Sequence, residues 1–282
     1  MGCLNDHGAF PHWFGNVHLS GPCNRSCYFC IGQHMMALDP LNVLDTWPLA
    51  GIDEFIAQCR AQQVKAVYVT GTNTDPLLFR HTRELVDALQ ILAVPIGVRT
   101  NGVAFGVHRD RWDAYDVASL TICSVDQAVN RKMMGGACPN YPEILASKRD
   151  IKVNIVLGPE QNLRDLESTL NTIACFGPRR VNFREPYGQP HVGDPMLGKP
   201  VDHHVHGMPV YQWGPLEVCY WDVHYCEVES VNLYASGRVS LTYPITKGHA
   251  DNGEVWPQDQ FSGGRVRAQW LNIQSDAVLA GA

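Results

Sequence analysis

From residue 16 to residue 184, short apolar runs alternate with stretches of helical periodicity. Runs at 16–20, 64–70, 94–100, 118–124, 151–157 and 181–184 are β-branched or apolar and end in turn residues, as strands do. Between them, Ile52, Phe55, Ile56 and Cys59 recur on one helical face, and Leu85, Leu89 and Leu92 mark a second helix within 78–92. A third helix is predicted over 141–147. A fourth carries Leu163, Leu166, Leu170 and Ile173, with Asn162 as its N-cap. Strand–helix repeats of this kind place the chain in the α/β class, with a parallel sheet joined by right-handed crossovers.

The 282 residues are enough for two average domains or for one α/β barrel. Apolar residues make up 45% and charged residues 18%, which supports a buried core and excludes disorder as the main state. A formal net charge of −6 argues against general binding of a nucleic-acid backbone, but allows a small anionic substrate or a nucleotide held in a pocket. The longest apolar candidate, 85–98, is broken by Asp87, Gln90 and Pro95, so no membrane span is expected. Residues 1–20 show no signal peptide, and Asp6 stands where a myristoylation signal needs Ser or Thr. The expectation is a soluble cytoplasmic protein, in the host cytoplasm were the chain viral.

Ten cysteines are too few at this length for a disulfide scaffold, and three of them gather. Cys23, Cys27 and Cys30 follow the pattern C-x3-C-x2-C. One short loop of this spacing brings three soft thiolates together, a donor set that selects an iron–sulfur cluster or zinc. A cubane held by three cysteines keeps one iron open to another ligand. The zinc reading stays open at this point, because His34 follows at C-x3-H and would complete a Cys3His tetrahedron.

With Phe29 between the second and third cysteines, the segment reads C-x3-C-x-aromatic-C and resembles the cluster loop of the radical SAM superfamily. The resemblance implies that Cys23, Cys27 and Cys30 ligate a [4Fe-4S] cluster whose open iron chelates S-adenosyl-L-methionine. It also implies a partial (β/α)6 TIM-like barrel over residues 1–185, a reductant such as flavodoxin or ferredoxin, and an active site at the C-terminal strand ends. After the second strand, Gly71-Thr72-Asn73-Thr74-Asp75-Pro76 resembles the family's Gly-Gly-Glu-Pro segment, with Thr72, Asn73 and Asp75 departing from it. Gly71, Thr72 and Asn73 are thereby candidates for the methionine end of the cofactor. Thr100 in Thr100-Asn101-Gly102, Ser124 in Ser124-Val125-Asp126, and Asn154 on the fifth strand are further cofactor candidates by the same resemblance.

Residues 186–215 hold eleven Gly or Pro, which forbids a long helix and suggests a lid. Residues 228–243 alternate around Ser236-Gly237 as a β-hairpin. Residues 186–282 are therefore expected to form an irregular and β-hairpin extension packed on the barrel. Arg184 and Tyr187, at the expected barrel mouth, are candidates for contact with the substrate, as are Arg99 and Glu185. Arg184 could grip a carboxylate or phosphate in bidentate fashion, and His34 is a candidate proton carrier. Cys219 and Cys226 have no further cysteines near them in sequence, so no auxiliary cluster is expected to take up an electron, which favours a redox-neutral rearrangement. In size and in this respect the chain resembles the radical SAM isomerases with which phages hypermodify thymidine. The expected substrate is then a small molecule or modified nucleotide bearing an amino acid. The alternatives are a radical SAM oxidase or carbon–carbon bond former acting on a nucleotide or peptide, and a zinc-bound structural or nucleic-acid-binding protein.

Overall fold

The structure is a computed structural model and describes residues 13–32, 41–148, 150–158, 162–186, 192–205, 208–221 and 229–241. The expected strands are present as β1 (Phe14–Leu19), β2 (Val67–Gly71), β3 (Ile96–Thr100), β4 (Val117–Thr121), β5 (Ile151–Val156) and β6 (Arg180–Arg184). The helices that cross between them are α1 (Ile52–Ala61), α2 (Thr82–Leu89), α3 (Arg109–Asp113), α4 (Gln127–Met134), α5 (Tyr141–Ala146) and α6 (Leu166–Ala174). Helices α3 and α4 escape hydrophobic periodicity. The first buries Trp112 and the second buries Asn130, Met133 and Met134, which is too little apolar repeat to register.

The parallel sheet runs beyond six strands. Residues after 185 supply β7 (Val201–Val205), β8 (Met208–Trp213), β9 (Leu216–Trp221), β10 (Ser230–Leu233) and β11 (Val239–Ser240). Strand β9 pairs parallel to β6, and β10 pairs parallel to β1. The order β10-β1-β2-β3-β4-β5-β6-β9 is thus one parallel run of eight strands, flanked by antiparallel β11 on one side and β8 and β7 on the other. Together these form an 11-stranded sheet, where six parallel strands were expected. The expected hairpin around Ser236-Gly237 is β10 and β11. The Gly- and Pro-rich stretch contains β7 and β8, and β8 includes Pro209, which pairs in register with His204.

Every strand of the parallel run is two-faced. Val67, Val69, Val98, Leu120, Val153, Ile155, Val181, Phe183, Val218, Val231 and Leu233 join the helix residues Phe55, Leu85, Leu89, Trp112 and Leu170 in one core. Burial of a side chain such as Phe55, Leu85 or Leu89 contributes roughly 1.5–3 kcal/mol. The alternate positions, among them Asn16, His18, Ser119, Asn154, Asn182, Ser230 and Asn232, are polar yet buried. Parallel strands covered by apolar layers on both faces read as continuous hydrophobic runs. These strands instead turn a polar inner face away from the helices.

Candidate functional site

The cysteine loop follows β1 and is held against the loops that leave β2, β3 and α4, all at one end of the sheet. Ser20 Oγ and the Gly21 N–H donate to Asn73 Oδ1 at 2.9 and 3.0 Å, and Thr74 Oγ1 donates to the Pro22 carbonyl at 2.6 Å. Asn101 Nδ2 donates to Asn24 Oδ1 at 2.8 Å. The Arg25 guanidinium donates to the Ala137 carbonyl, and the Ser26 and Tyr28 N–H groups donate to the carbonyls of Met134 and Met133 at 3.3 Å each. Two glycines permit this packing. A Cβ on Gly32 would run into the Thr72 carbonyl, and one on Gly135 would strike Ser26 Oγ. Gly135 also ends α4 with φ of 74°, a left-handed conformation that glycine adopts without steric cost.

Cys23 is exposed, and Cys27 and Cys30 are half-buried. Burial raises the Cys23 and Cys27 thiols above their ordinary range, Cys27 to about 12. The charge of Cys30 and that of the other thiol raise Cys27 further, and Cys30 and Asp75 act likewise on Cys23. Cys30 thus lies close enough to act on both, and Cys23 and Cys27 resist ionisation until a cation compensates them. Among the described residues, no three Cys, His, Asp or Glu side chains converge tightly enough to share a single metal ion. Phe29 sits edge-on to Tyr28 at 5.5 Å and packs with it and Cys27 against Cys123, Met133 and Met134. Cys123 is fully buried and acts through its charge on Tyr28, while Cys27 and Cys138 raise its own thiol further above an already strong burial effect. Sequence spacing does not reveal that Cys123 and Cys138 adjoin the loop.

Several candidate side chains already have partners within the protein. Thr72 is buried, and its hydroxyl donates to the Leu19 carbonyl at 3.1 Å and to Asn73 Oδ1 at 3.2 Å. Asn73 Oδ1 thus accepts from three donors. Thr100 Oγ1 donates to the buried Asp75 carboxylate, which also accepts from the Asn101 N–H at 2.8 Å and the Leu77 N–H at 3.0 Å. Burial raises the Asp75 carboxyl, and these three hydrogen bonds oppose the rise. Ser124 is buried, donates to Asp165 and accepts from the Asp126 N–H, while Asp126 caps α4 through the N–H groups of Ala128 and Val129. Asn162 stands at the N-cap position of the turn Leu163–Asp165 that leads into α6, but its side chain makes no capping hydrogen bond. Its amide bridges three backbones, donating to the carbonyls of Cys123 and Val156 and accepting from the Gly158 N–H.

The fifth- and sixth-strand candidates meet on the inner face. Asn154 Nδ2 donates to Ser119 Oγ at 2.6 Å, and Arg184 Nε donates to Asn154 Oδ1 at 3.1 Å. The Arg184 guanidinium also lies over the Trp221 ring, 5.5 Å from its centroid. Glu185 turns elsewhere, accepting from the Val192 and Gly193 N–H groups and the Tyr220 hydroxyl, so it anchors the following segment to β9. Arg99 is packed over Tyr68 and Phe14, with ring centroids 4.7 and 5.7 Å away. His34 and Tyr187 lie outside the described residues.

No helix among the described residues is long and apolar enough to cross a membrane. No family model and no curated protein matches the sequence. Among solved structures, the fold is similar to that of SuiB from Streptococcus suis, with a TM-score of 0.51 at 14% identity over 65% of this chain and 42% of SuiB. A second SuiB structure, bound to S-adenosylmethionine, gives a TM-score of 0.48 at 14% identity over 64% of this chain and 41% of that one. Methylornithine synthase (PylB) gives 0.43 at 16% identity over 66% and 57%. This chain thus spans less than half the length of SuiB, and the likeness is one of fold.

Proposed function

We propose that this chain is a radical SAM enzyme in which Cys23, Cys27 and Cys30 hold a [4Fe-4S] cluster. One observation carries the reading: three charge-coupled thiols stand on the loop after β1, packed against the loops that follow β2 and β3, at the C-terminal end of a parallel sheet. The donor set fits. Three soft thiolates on one short loop suit a polynuclear cluster, one corner to each sulfur. The similarity in fold to SuiB, one structure of which holds S-adenosylmethionine, supports the same reading.

Such a cluster, with S-adenosylmethionine bound, supplies a 5′-deoxyadenosyl radical on reduction. The chain's own residues shape and shield the space around it. Asn73 and Asp75 fix the β2 loop, Phe29 and Met133 wall the cysteine loop on its buried side, and the polar inner face offers groups to orient a substrate. The backbone of Gly71–Thr74 is left to meet the methionine end of the cofactor, since the Thr72 and Asn73 side chains are engaged by the protein. The reaction type we favour is a redox-neutral rearrangement of an amino-acid-bearing substrate, with an amino-acid-modified thymidine as the first compound to try.

Anaerobic reconstitution with iron and sulfide should give a brown protein whose reduced electron paramagnetic resonance signal changes when S-adenosylmethionine is added. A protein that takes up zinc and no iron under these conditions would make the loop a structural zinc site. For the reaction type, catalytic use of S-adenosylmethionine supports rearrangement. One 5′-deoxyadenosine per turnover instead supports an oxidase or bond-forming enzyme.

A further inference from the structure

A band of basic side chains crosses the inner face of the sheet. In register, Arg99 of β3 stands beside Ser119 of β4, Ser119 beside Lys152 of β5, Lys152 beside Arg180 of β6, and Arg180 beside Glu217 of β9. Residues paired in register point to the same face, so these five form one row. Arg184 stands four residues beyond Arg180 on the same strand, toward the end that carries the cysteine loop.

Among the described residues, Arg99 and Lys152 of this band have no acidic partner. Glu217 pairs with Arg180 at 3.1 Å. Arg99 is stacked on aromatic rings, and Arg184 donates to a neutral amide. Lys152 makes no hydrogen bond or ion pair with any described residue. Burial first, and then the charges of Arg184, Arg99 and Arg180, lower its ammonium to about 7, with Cys219 on β9 the one group acting the other way. The described groups around it are thus Tyr68 and Arg99 on one side, Ser119 beside it, Arg180 and Arg184 on β6, and Glu217 and Cys219 on β9. Like charges held together at half-buried positions disfavour the empty arrangement, and an entering anion relieves them. Ser119, between Arg99 and Lys152, accepts from Asn154 and keeps its own proton to donate.

We infer that Arg99, Ser119 and Lys152, with Arg184 on the side toward the cysteine loop, form an oxyanion subsite that takes a carboxylate or phosphate of the substrate. This assignment rests on the proposed function, which makes the inner face the substrate side.

The test is calorimetric titration of the reconstituted full-length protein with inorganic phosphate and, separately, with acetate, in the absence of S-adenosylmethionine and reductant. At least one anion should bind, and Lys152→Gln and Arg99→Gln should each weaken binding about tenfold or more. Binding of acetate, whose own charge is constant in this range, should also weaken between about pH 6.5 and pH 9 as Lys152 loses its proton. Lys152→Arg, which stays charged throughout, should bind and lose that pH dependence, and it serves if the Gln variant fails to fold. Tighter phosphate identifies a phosphorylated substrate, and tighter acetate a carboxylate. Failure of both anions to bind folded wild-type protein at millimolar concentration, or binding that Lys152 and Arg99 substitutions leave unchanged, overturns the subsite. Because the titration involves no cofactor cleavage, its failure with intact 5′-deoxyadenosine formation rejects the subsite alone. Successful anion binding without that cleavage instead rejects the radical reading.

Discussion

The carboxylate of Asp75 receives the Thr100 hydroxyl at 2.7 and 2.9 Å, and through it the loops after β2 and β3 behave as one piece. Asp75→Ala leaves that hydroxyl and the N–H groups of Asn101 and Leu77 without their acceptor in a buried place. A loss of about 3 kcal/mol is expected in urea unfolding, and a smaller loss for Asp75→Asn, which keeps one acceptor oxygen. Equal stability of Asp75→Ala and wild type would show that these donors find other partners.

The loop cysteines should differ from the others in iron binding. Alanine at Cys23, Cys27 or Cys30 should abolish most iron uptake and visible absorbance after reconstitution. Alanine at Cys175, exposed on the far end of α6, should leave both at the wild-type level. Iron and sulfide analysis of the four variants decides the matter.

Gly135 joins α4 to the cysteine loop by geometry alone. Gly135→Ala must adopt φ of 74° and place a Cβ against Ser26 Oγ. It should cost roughly 1–3 kcal/mol in thermal or chemical unfolding and reduce iron retention as well. A loss of stability with full iron retention would separate the helix end from the loop.

Lys152 should leave a signature in the pH dependence of stability. Its folded value, about 7, lies below the roughly 10.4 of an unfolded lysine, so the folded chain binds fewer protons between those values. The lysine's contribution is therefore favourable above the unfolded value and is lost as the pH falls through about 7. Lys152→Met should be more stable than wild type near neutral pH, and the difference should shrink as the pH rises toward 10. Melting temperatures of both proteins across that range test the sign. A constant difference would mean that the ammonium is fully solvated.

Local apolar runs and helical repeats made six strands and four helices legible, because each buries one face and that burial follows chain periodicity. The eight-strand parallel run was not legible, since β10 pairs with β1 across most of the chain, and among the described residues β9 follows β6 through β7 and β8 and not through a helix with an apolar repeat. The cysteine loop was legible because its ligands are close in sequence. Cys123 and Cys138 were not, as they reach it only through the fold. Thr100 and Ser124 were singled out as strand-end cofactor candidates, but composition could not show that Asp75 and Asp165 engage their hydroxyls. The alternation of Lys152 and Asn154 with Ile151, Val153 and Ile155 was the available signal for the polar inner face.

The radical reading stands or falls on the chemistry of the loaded cysteine loop. Anaerobically reconstituted protein, reduced with dithionite and given S-adenosylmethionine, should release 5′-deoxyadenosine and methionine, and the Cys27→Ala variant should release neither above background. A cluster-loaded, reduced protein that leaves S-adenosylmethionine intact would contradict it.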